Sequence, residues 1–408
     1  MKKERKEITF PILNDMIENG NDHIFMVILF LASLLVRASA SSNIIRNIGI
    51  HYGGDFMRFH EWELELDRLG MQFFSEYNDI PYYWGFTLLL HAVKKLTGGY
   101  NAIIVVNILM TSAAVIFLYK TAKIVTKSKT MALLAGLEYV YCPKLMEWNN
   151  ALTSDAVAIF IGLVCFYYYY KYTRVSKARK DFVILSLVCL LYYFERTTAV
   201  ITIIFICAGL IKKKFDKNRK MILIFSVIAT FIMLAVGIIL LNVSHGEHGV
   251  VSRIKYYIGL FESGTIVYET NTFVYNADPS HFGKPVFALD ILAIIALRAI
   301  FFWSVAFIRD NSIFEVVMGY VTFLPLIVTG FLGIITAFRK KNKELYSLFV
   351  FILMTNLIQA CFEIDGGLRY RMPVLPFMIV FSSYFVFTAT RWFSERTNNK
   401  ITTGVDFK

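Results

Sequence analysis

Residues 100–119 read YNAIIVVNILMTSAAVIFLY and are followed by a lysine, Lys120. An α-helix of about 20 residues is about 30 Å long, which matches the hydrocarbon core of a bilayer. Similar apolar runs recur along the chain and alternate with short clusters of Lys and Arg. This alternation is typical of a protein that crosses a membrane several times as α-helices.

The composition supports the same interpretation. The 408-residue chain is 57% hydrophobic and only 18% charged, whereas soluble domains contain roughly 25% charged residues. Its net charge of +12 comes from basic residues at the ends of the apolar runs, where retention of positive charge in the cytoplasm explains them. We therefore expect a membrane-lipid environment and no nucleic-acid partner.

The basic clusters also predict the topology, because Lys and Arg stay on the cytoplasmic side. We expect one all-α domain over residues 1–408, a multi-pass protein of the cell membrane with both termini in the cytoplasm. The ten expected spans are 24–40, 100–119, 131–147 with a break near Pro143, 151–172, two short spans within 181–212, 221–241, 314–338, 344–362 and 372–391.

Two polar segments then lie on the outer side, the first outer loop (41–99) and a second outer segment (242–313). In the first, residues 81–96 have the pattern of an amphipathic helix in the membrane interface. In the second, residues 287–308 are apolar enough to span. We favour an interfacial helix there because Asp290, Arg298 and Trp303 suit a surface position; a further span is the alternative.

The first outer loop contains Gly53-Gly54-Asp55. Two glycines allow a tight turn and a close approach of the backbone to a ligand, so Asp55 is a candidate catalytic carboxylate. Alternatively, Asp55 caps a helix over residues 56–69, and the two roles are compatible. The alternation of Glu61, Glu63, Glu65 and Asp67 with apolar residues is expected to form a solvated helix face.

A divalent metal is an open alternative in this loop, and no other cofactor is indicated. His51, Asp55, His60 and Glu61 are all potential ligands. No two of them have the tight spacing of a metal-binding helix face, so metal dependence stays open.

Other polar groups are expected on the same side of the membrane. Asp155 at the start of a span is either a second catalytic carboxylate or a helix cap. Glu195 and Arg196 lie at the apex of the short helix pair and form either a mutual ion pair or an anion site.

Arginines complete the set. Arg369 and Arg371 bring guanidinium groups, which match phosphate oxygens, to the outer interface, with anchoring to lipid headgroups as the alternative. Arg37 lies similarly at the outer end of the first span. A carboxylate that acts as general base and arginines that stabilise a leaving phosphate suit a reaction between a lipid-phosphate donor and a water-side acceptor.

In these features the chain resembles the polyprenyl-phosphate-sugar-dependent membrane glycosyltransferases of the GT-C type, which include protein O-mannosyltransferases and aminoarabinose transferases. The resemblance extends over residues 24–391 and depends on the order of short motifs. These are Arg37, Gly54-Asp55, Pro81-Tyr-Tyr-Trp-Gly85, Thr153-Ser-Asp155, Arg196 and Gly367-Leu-Arg-Tyr-Arg371-Met-Pro373-Val-Leu-Pro376. The chain departs from the pattern where Phe56 follows Asp55 in place of a second acid.

The resemblance implies a GT-C-like bundle and a hexosyl- or pentosyltransferase. The donor would be a sugar on polyprenyl phosphate, and the acceptor a glycan, lipid or protein at the cell surface. The resemblance also implies that Asp55 is the catalytic acid of the first loop. From the residues themselves we add Asp155 as a second catalytic candidate and Arg369, Arg371, Arg196 and Arg37 as candidate donor-phosphate ligands. The candidate substrate-binding residues are Tyr370, His51, His60, Glu61 and Trp84. The alternatives are a polysaccharide polymerase or ligase with a diphosphate-linked donor, and a lipid-linked sugar transporter or flippase.

Overall fold

The computed structural model describes residues 10–47, 49–50, 54–78, 81–214, 267–270, 273–276, 285–303, 313–362 and 368–402. Almost all of this part is α-helical, as predicted. The helices are Phe10–Glu18 (α1), Asp22–Asn47 (α2), Gly54–Leu69 (α3), Phe73–Glu76 (α4), Trp84–Thr97 (α5), Ala102–Thr126 (α6), Lys129–Val140 (α7), Pro143–Glu147 (α8), Asp155–Tyr170 (α9), Arg179–Tyr193 (α10), Ala199–Lys214 (α11), Pro285–Phe301 (α12), Ile313–Arg339 (α13), Lys343–Phe362 (α14) and Leu375–Thr402 (α15).

The exception is a small hairpin in the second outer segment. Its strands, Val267–Thr270 (β1) and Phe273–Asn276 (β2), are antiparallel, with Val267 opposite Asn276. Short 3₁₀ turns connect several helices, at Gly70–Gln72, Pro81–Tyr83, Trp148–Asn150 and Leu368–Arg371.

Three helical segments of the described chain are long and apolar enough to cross a membrane: Asp22–Asn47, Ala102–Thr126 and Gly319–Arg339. They coincide with the predicted spans 24–40, 100–119 and 314–338 and are compatible with a membrane protein. Two shorter apolar helices are Ala199–Ile211 and Leu292–Phe301. The predicted span 221–241 lies outside the described residues.

The predicted break near Pro143 is confirmed. Helix α7 ends at Val140, and Pro143 occupies the first turn of α8, where its missing N–H would have had no helical partner. The short pair α10 and α11 is also found, with Glu195 and Arg196 between the two helices as predicted.

Two apolar clusters hold the bundle together. The larger one joins α2, α6, α7, α9 and the three carboxy-terminal helices. There, a Cβ on Gly333 would overlap the backbone oxygen of Phe381, so α13 and α15 pack backbone to backbone. The smaller cluster includes Phe59 of α3, Phe86 of α5 and Ile104 of α6, and it fixes the first-loop helices to the bundle.

The bundle has two chemically different ends. We call the first the basic end; it comprises residues 18–22, 119–130, 171–181 and 339–344. Asp22 accepts a hydrogen bond from the Tyr119 hydroxyl over 2.7 Å and pairs with Lys123 there. The other, called here the loop end, comprises residues 81–85, 102–107, 148–155, 194–198 and 368–373.

Helix α12 corrects part of the prediction for residues 287–308. Asp290 and Arg298 are buried, and Arg298 Nη1 donates to the backbone oxygen of Ala360 in α14 over 3.4 Å. Leu289 and Leu292 are exposed instead. The two charged residues therefore face the protein, and they do not support a surface position for this helix.

Candidate active site

Asp155 and Arg196 form a buried ion pair at the loop end. Their exposed fractions are 2% and 7%. Arg196 Nη1 donates to Asp155 Oδ1, and Thr153 Oγ1 donates to Asp155 Oδ2 over 2.8 Å. Asp155 is the first residue of α9, where the partial positive charge of the helix N-terminus also favours a carboxylate. The structure thus brings together two predicted site residues that are 41 positions apart.

Glu195 is not the partner of Arg196, so the proposed mutual pair of these neighbours is wrong. The Glu195 carboxyl instead lies against Gly85 of α5, and a Cβ on Gly85 would be only 2.6 Å from Glu195 Oε1. Glu195 is 7% exposed, and its Oε2 has no hydrogen-bond partner within the described residues. Burial raises the pKa of Glu195 to about 8, so the carboxyl is mostly neutral at pH 7.

The first turn of α5 rests on the apex between α10 and α11. Gly85 N–H donates to the Phe194 backbone oxygen over 2.8 Å. The Trp84 ring stacks on Phe194 with 5.8 Å between centroids, and its Nε1 donates to the Tyr77 oxygen over 3.0 Å. Trp84, a predicted substrate-binding residue, therefore couples the first outer loop to the apex.

A group of buried amides lies beside this apex. Asn107 Nδ2 donates to the Ala151 oxygen over 3.0 Å, and Thr111 Oγ1 donates to Asn149 Oδ1 over 2.9 Å. Neither Asn149 Nδ2 nor the side-chain N and O atoms of Asn150 have a partner in the described part of the chain. Because an unsatisfied buried amide costs about 1–3 kcal/mol, these positions suit bound water or a ligand.

Arg37 is completely buried and fastens α2 to the break between α7 and α8. Its Nε donates to Ser33 Oγ over 3.0 Å, Nη1 to the Leu145 oxygen over 3.1 Å and Nη2 to the Tyr139 oxygen over 3.4 Å. Broken helices leave carbonyl groups without helical partners. Arg37 donates to carbonyl groups on both sides of this break, and its role as a phosphate ligand stays a prediction.

Arg371 is also buried, in the segment before α15. Its Nη1 donates to the Phe302 oxygen over 3.2 Å, and its guanidinium carbon lies 4.3 Å from the centroid of the Phe323 ring. Tyr370 is partly buried against the larger cluster. The side chain of Arg369 lies outside the described residues.

A narrow crevice lies between α9, α10, α11 and the segment before α15. It is lined by Ala158, Ile159, Tyr192, Met372 and Pro373, among others, and has room for about one water-sized sphere. Ala158 and Ile159 are one helical turn deeper than Asp155, Tyr192 is one turn before Arg196, and Met372 follows Arg371. The crevice is therefore lined by residues that are close in sequence to Asp155, Arg196 and Arg371, while these three side chains are not part of its lining.

The first outer loop contributes a site residue that the sequence pattern assigned wrongly. Glu63, expected on a solvated face, is fully buried. Its carboxylate is bonded by Lys94, Tyr100 and His91. Although burial opposes ionisation, these bonds lower the pKa of Glu63. The helical spacing of the sequence could have predicted this burial, because Glu63 lies on the same face of the helix as the apolar residues Phe59 and Leu66.

The other predicted residues of this loop are only partly described. The backbone of Asp55 is in the first turn of α3; its side chain and all of His51 lie outside the described residues. Glu61 is exposed, and His60 is half-buried beside Tyr100. No three His, Cys, Asp or Glu side chains that the structure describes converge as metal ligands.

Comparison with known proteins adds no family assignment. No known family model matches the chain, and no curated protein sequence matches it.

Proposed function

We propose that the chain is a membrane glycosyltransferase of the GT-C type. It would transfer a hexose or pentose from a polyprenyl-phosphate carrier to a glycan, lipid or protein at the outer face of the cell membrane. One observation carries this proposal: the buried Asp155–Arg196 pair, Arg371 and the first-loop helices gather at the end of the bundle opposite the basic residues.

The two ends support the proposed orientation. Lys and Arg clusters at the basic end favour its placement in the cytoplasm, which leaves the loop end outside. With that orientation we retain ten spans and cytoplasmic termini as part of the proposal. Helix α5, which rests on the apex, then lies at the level of the outer headgroups.

The proposed reaction is a displacement at the anomeric carbon of the donor sugar. The acceptor hydroxyl attacks this carbon, its proton passes to Asp55, and the bond from the carbon to the phosphate oxygen breaks. Negative charge grows on the leaving phosphate, and Arg371 and Arg369 stabilise it. Arg196 is already neutralised by Asp155, so we assign this pair to the architecture of the site and not to direct charge stabilisation.

The crevice is too small for the proposed donor lipid. A space that admits about one water-sized sphere cannot hold an isoprenoid chain. The donor must therefore enter by separation of the elements that line the crevice, which are α9, α10, α11 and the segment before α15.

Transfer can be tested with Asp55→Asn. We expect the substitution to lower turnover of a polyprenyl-phosphate sugar by about 10²–10⁴-fold, the usual contribution of a general base. Proteoliposomes supplied with membrane extract as the acceptor source would be sampled over time, and mass spectrometry would measure the release of free polyprenyl phosphate.

Asp67→Asn is the matched control, because Asp67 is an exposed acid of the same helix. It should turn over the donor as the wild type does. Wild-type turnover by a correctly inserted Asp55→Asn protein would remove Asp55 from the role of base.

A further inference from the structure

A chain of hydrogen bonds links α3, α5 and the segment before α6. Glu63 is at its centre. Glu63 Oε1 is 3.0 Å from His91 Nδ1, while Oε2 is 2.6 Å from Lys94 Nζ and 2.5 Å from the Tyr100 hydroxyl. The same hydroxyl is 2.9 Å from His60 Nδ1. The chain thus runs from a buried carboxylate through a tyrosine to a histidine.

The available protons determine the direction of each bond. An ionised carboxylate only accepts hydrogen bonds, and the lowered pKa of Glu63 makes it ionised at neutral pH. Tyr100 has a single hydroxyl proton, and this proton is used in the bond to Glu63. The Tyr100 oxygen can then interact with His60 only as an acceptor, so His60 Nδ1 must carry a proton.

The tautomer of neutral His60 follows from this constraint. With the proton on Nδ1, Nε2 has a free lone pair and is a hydrogen-bond acceptor. The described residues provide no hydrogen bond to His60 other than that of Tyr100. Its ring stacks on Phe56 at 5.7 Å with an interplanar angle of 12°, and it remains partly exposed.

The position of His60 connects it with the proposed site. It lies on α3 a little more than one helical turn after Asp55, in the first outer loop. An acceptor nitrogen of fixed orientation, beside the aromatic rings of Phe56 and Tyr100, suits a ligand that presents hydroxyl groups next to an apolar face. Sugars have this chemistry.

We propose that His60 Nε2 accepts a hydrogen bond from a hydroxyl group of a sugar ligand, and that Glu63 and Tyr100 hold His60 in the tautomer that allows it. The identification of the ligand as a sugar rests on the proposed function. The tautomer itself does not.

Other charged groups surround this hydrogen-bond network. On α5 they are His91 and Lys94, both bonded to Glu63, and Lys95, which pairs with Asp67 of α3. His91 is the matched control for His60, because it donates directly to Glu63 and does not depend on Tyr100.

Nitrogen-15 spectroscopy of the full chain in lipid nanodiscs tests both parts. The chain has seven histidines, so His60→Gln and His91→Gln would assign the two signals. We expect wild-type His60 to carry its proton on Nδ1 and none on Nε2. In Tyr100→Phe this preference should be lost at His60, while the His91 signal stays unchanged.

The ligand part uses methyl α-mannoside as a neutral sugar probe. We expect a concentration series to shift the His60 Nε2 resonance to saturation in the wild type, with no shift at His91 and none at His60 in Tyr100→Phe. A proton on His60 Nε2 in the wild type would overturn the proposal, and so would a bare Nε2 that does not respond to the sugar. These spectra need no donor lipid, so they are independent of the transfer assay. His60 can bind the sugar in a protein that transfers none, and transfer can occur without a sugar bound at His60.

Discussion

Carboxyl and amide side chains are hydrogen-bonded to different extents at the two ends of the bundle. At the basic end, Glu18 accepts hydrogen bonds from Ser128 Oγ over 2.5 Å and from the backbone N–H groups of Lys129 and Thr130 over 3.1 and 3.0 Å. At the loop end, Glu195 and Asn150 keep buried atoms without partners in the described chain. Unsatisfied groups reduce stability, and proteins retain them chiefly where a site requires them. This contrast supports the proposed role of the loop end in binding.

The largest expected difference between the ends concerns their ion pairs. Removal of one partner of the buried Asp155–Arg196 pair, as in Arg196→Ala, should lower the free energy of unfolding by about 3–5 kcal/mol, because a buried charge loses its partner. Lys123→Ala at the basic end should cost no more than about 1 kcal/mol, since the Asp22–Lys123 pair is partly exposed.

Denaturant titration in lipid–detergent micelles would measure both values. The double substitution of Asp155 and Arg196 should cost less than the sum of the two single substitutions. Equal losses at the two ends, or strict additivity at the loop end, would contradict the assignment of Asp155–Arg196 as a buried pair.

The two glutamates should give opposite dependences of stability on pH. The raised pKa of Glu195, about 8 when folded, means that the folded state holds a proton that the unfolded state releases. Glu195 therefore stabilises the fold least at high pH, and its contribution falls by up to about 1.4 kcal/mol per pH unit between the unfolded pKa and pH 8.

The contribution of Glu18 to stability changes with pH in the opposite direction. Its pKa is lowered: burial opposes this shift, but hydrogen bonds from Ser128, Thr130 and Lys129 outweigh it. Its contribution is present above the unfolded pKa and is lost as pH falls through the folded pKa. Unfolding titrations over a pH series should show that Glu195→Gln flattens the alkaline side of the profile and Glu18→Gln the acidic side. The opposite assignment would refute the comparison.

The smallest expected effect concerns two asparagines. Asn14 Oδ1 accepts from Thr130 Oγ1 over 2.8 Å at the basic end, so Asn14→Ala should lower the free energy of unfolding by about 1 kcal/mol. Asn150→Ala at the loop end removes an amide whose side-chain atoms have no described partner, and it should be neutral or slightly stabilising. A larger loss for Asn150→Ala, measured by the same titration, would indicate a bonding partner.

Local chemistry explains which features the sequence could predict. The break at Pro143 and the apex at Glu195–Arg196 were predictable, because a proline and the spacing of the basic clusters act over short distances. The partner of Arg196 was not, since neighbours such as Glu195 and distant carboxylates such as Asp155 look equally suitable until the helices are packed.

The burial of charged residues in α3 and α12 was not predicted from the sequence pattern. Glu63 was predicted to be exposed because acidic and apolar residues alternate in this stretch, yet the helical period places it on the buried face of α3. Asp290 and Arg298 were read as surface residues because charges avoid apolar interiors, whereas packing of α12 against α14 buries both. In each case a charged side chain is accommodated by contacts from a different helix, which single-sequence reasoning does not reveal.

The proposed function requires that the loop end binds a sugar carried on polyprenyl phosphate. Mass spectrometry of the lipids that co-purify with the full chain tests it most directly, through the mass of the isoprenoid headgroup. We expect an isoprenoid monophosphate, free or with one sugar, which Asp55→Asn also retains. A diphosphate-linked saccharide would point to a polymerase or ligase, and ordinary phospholipids alone would rule out the proposed donor.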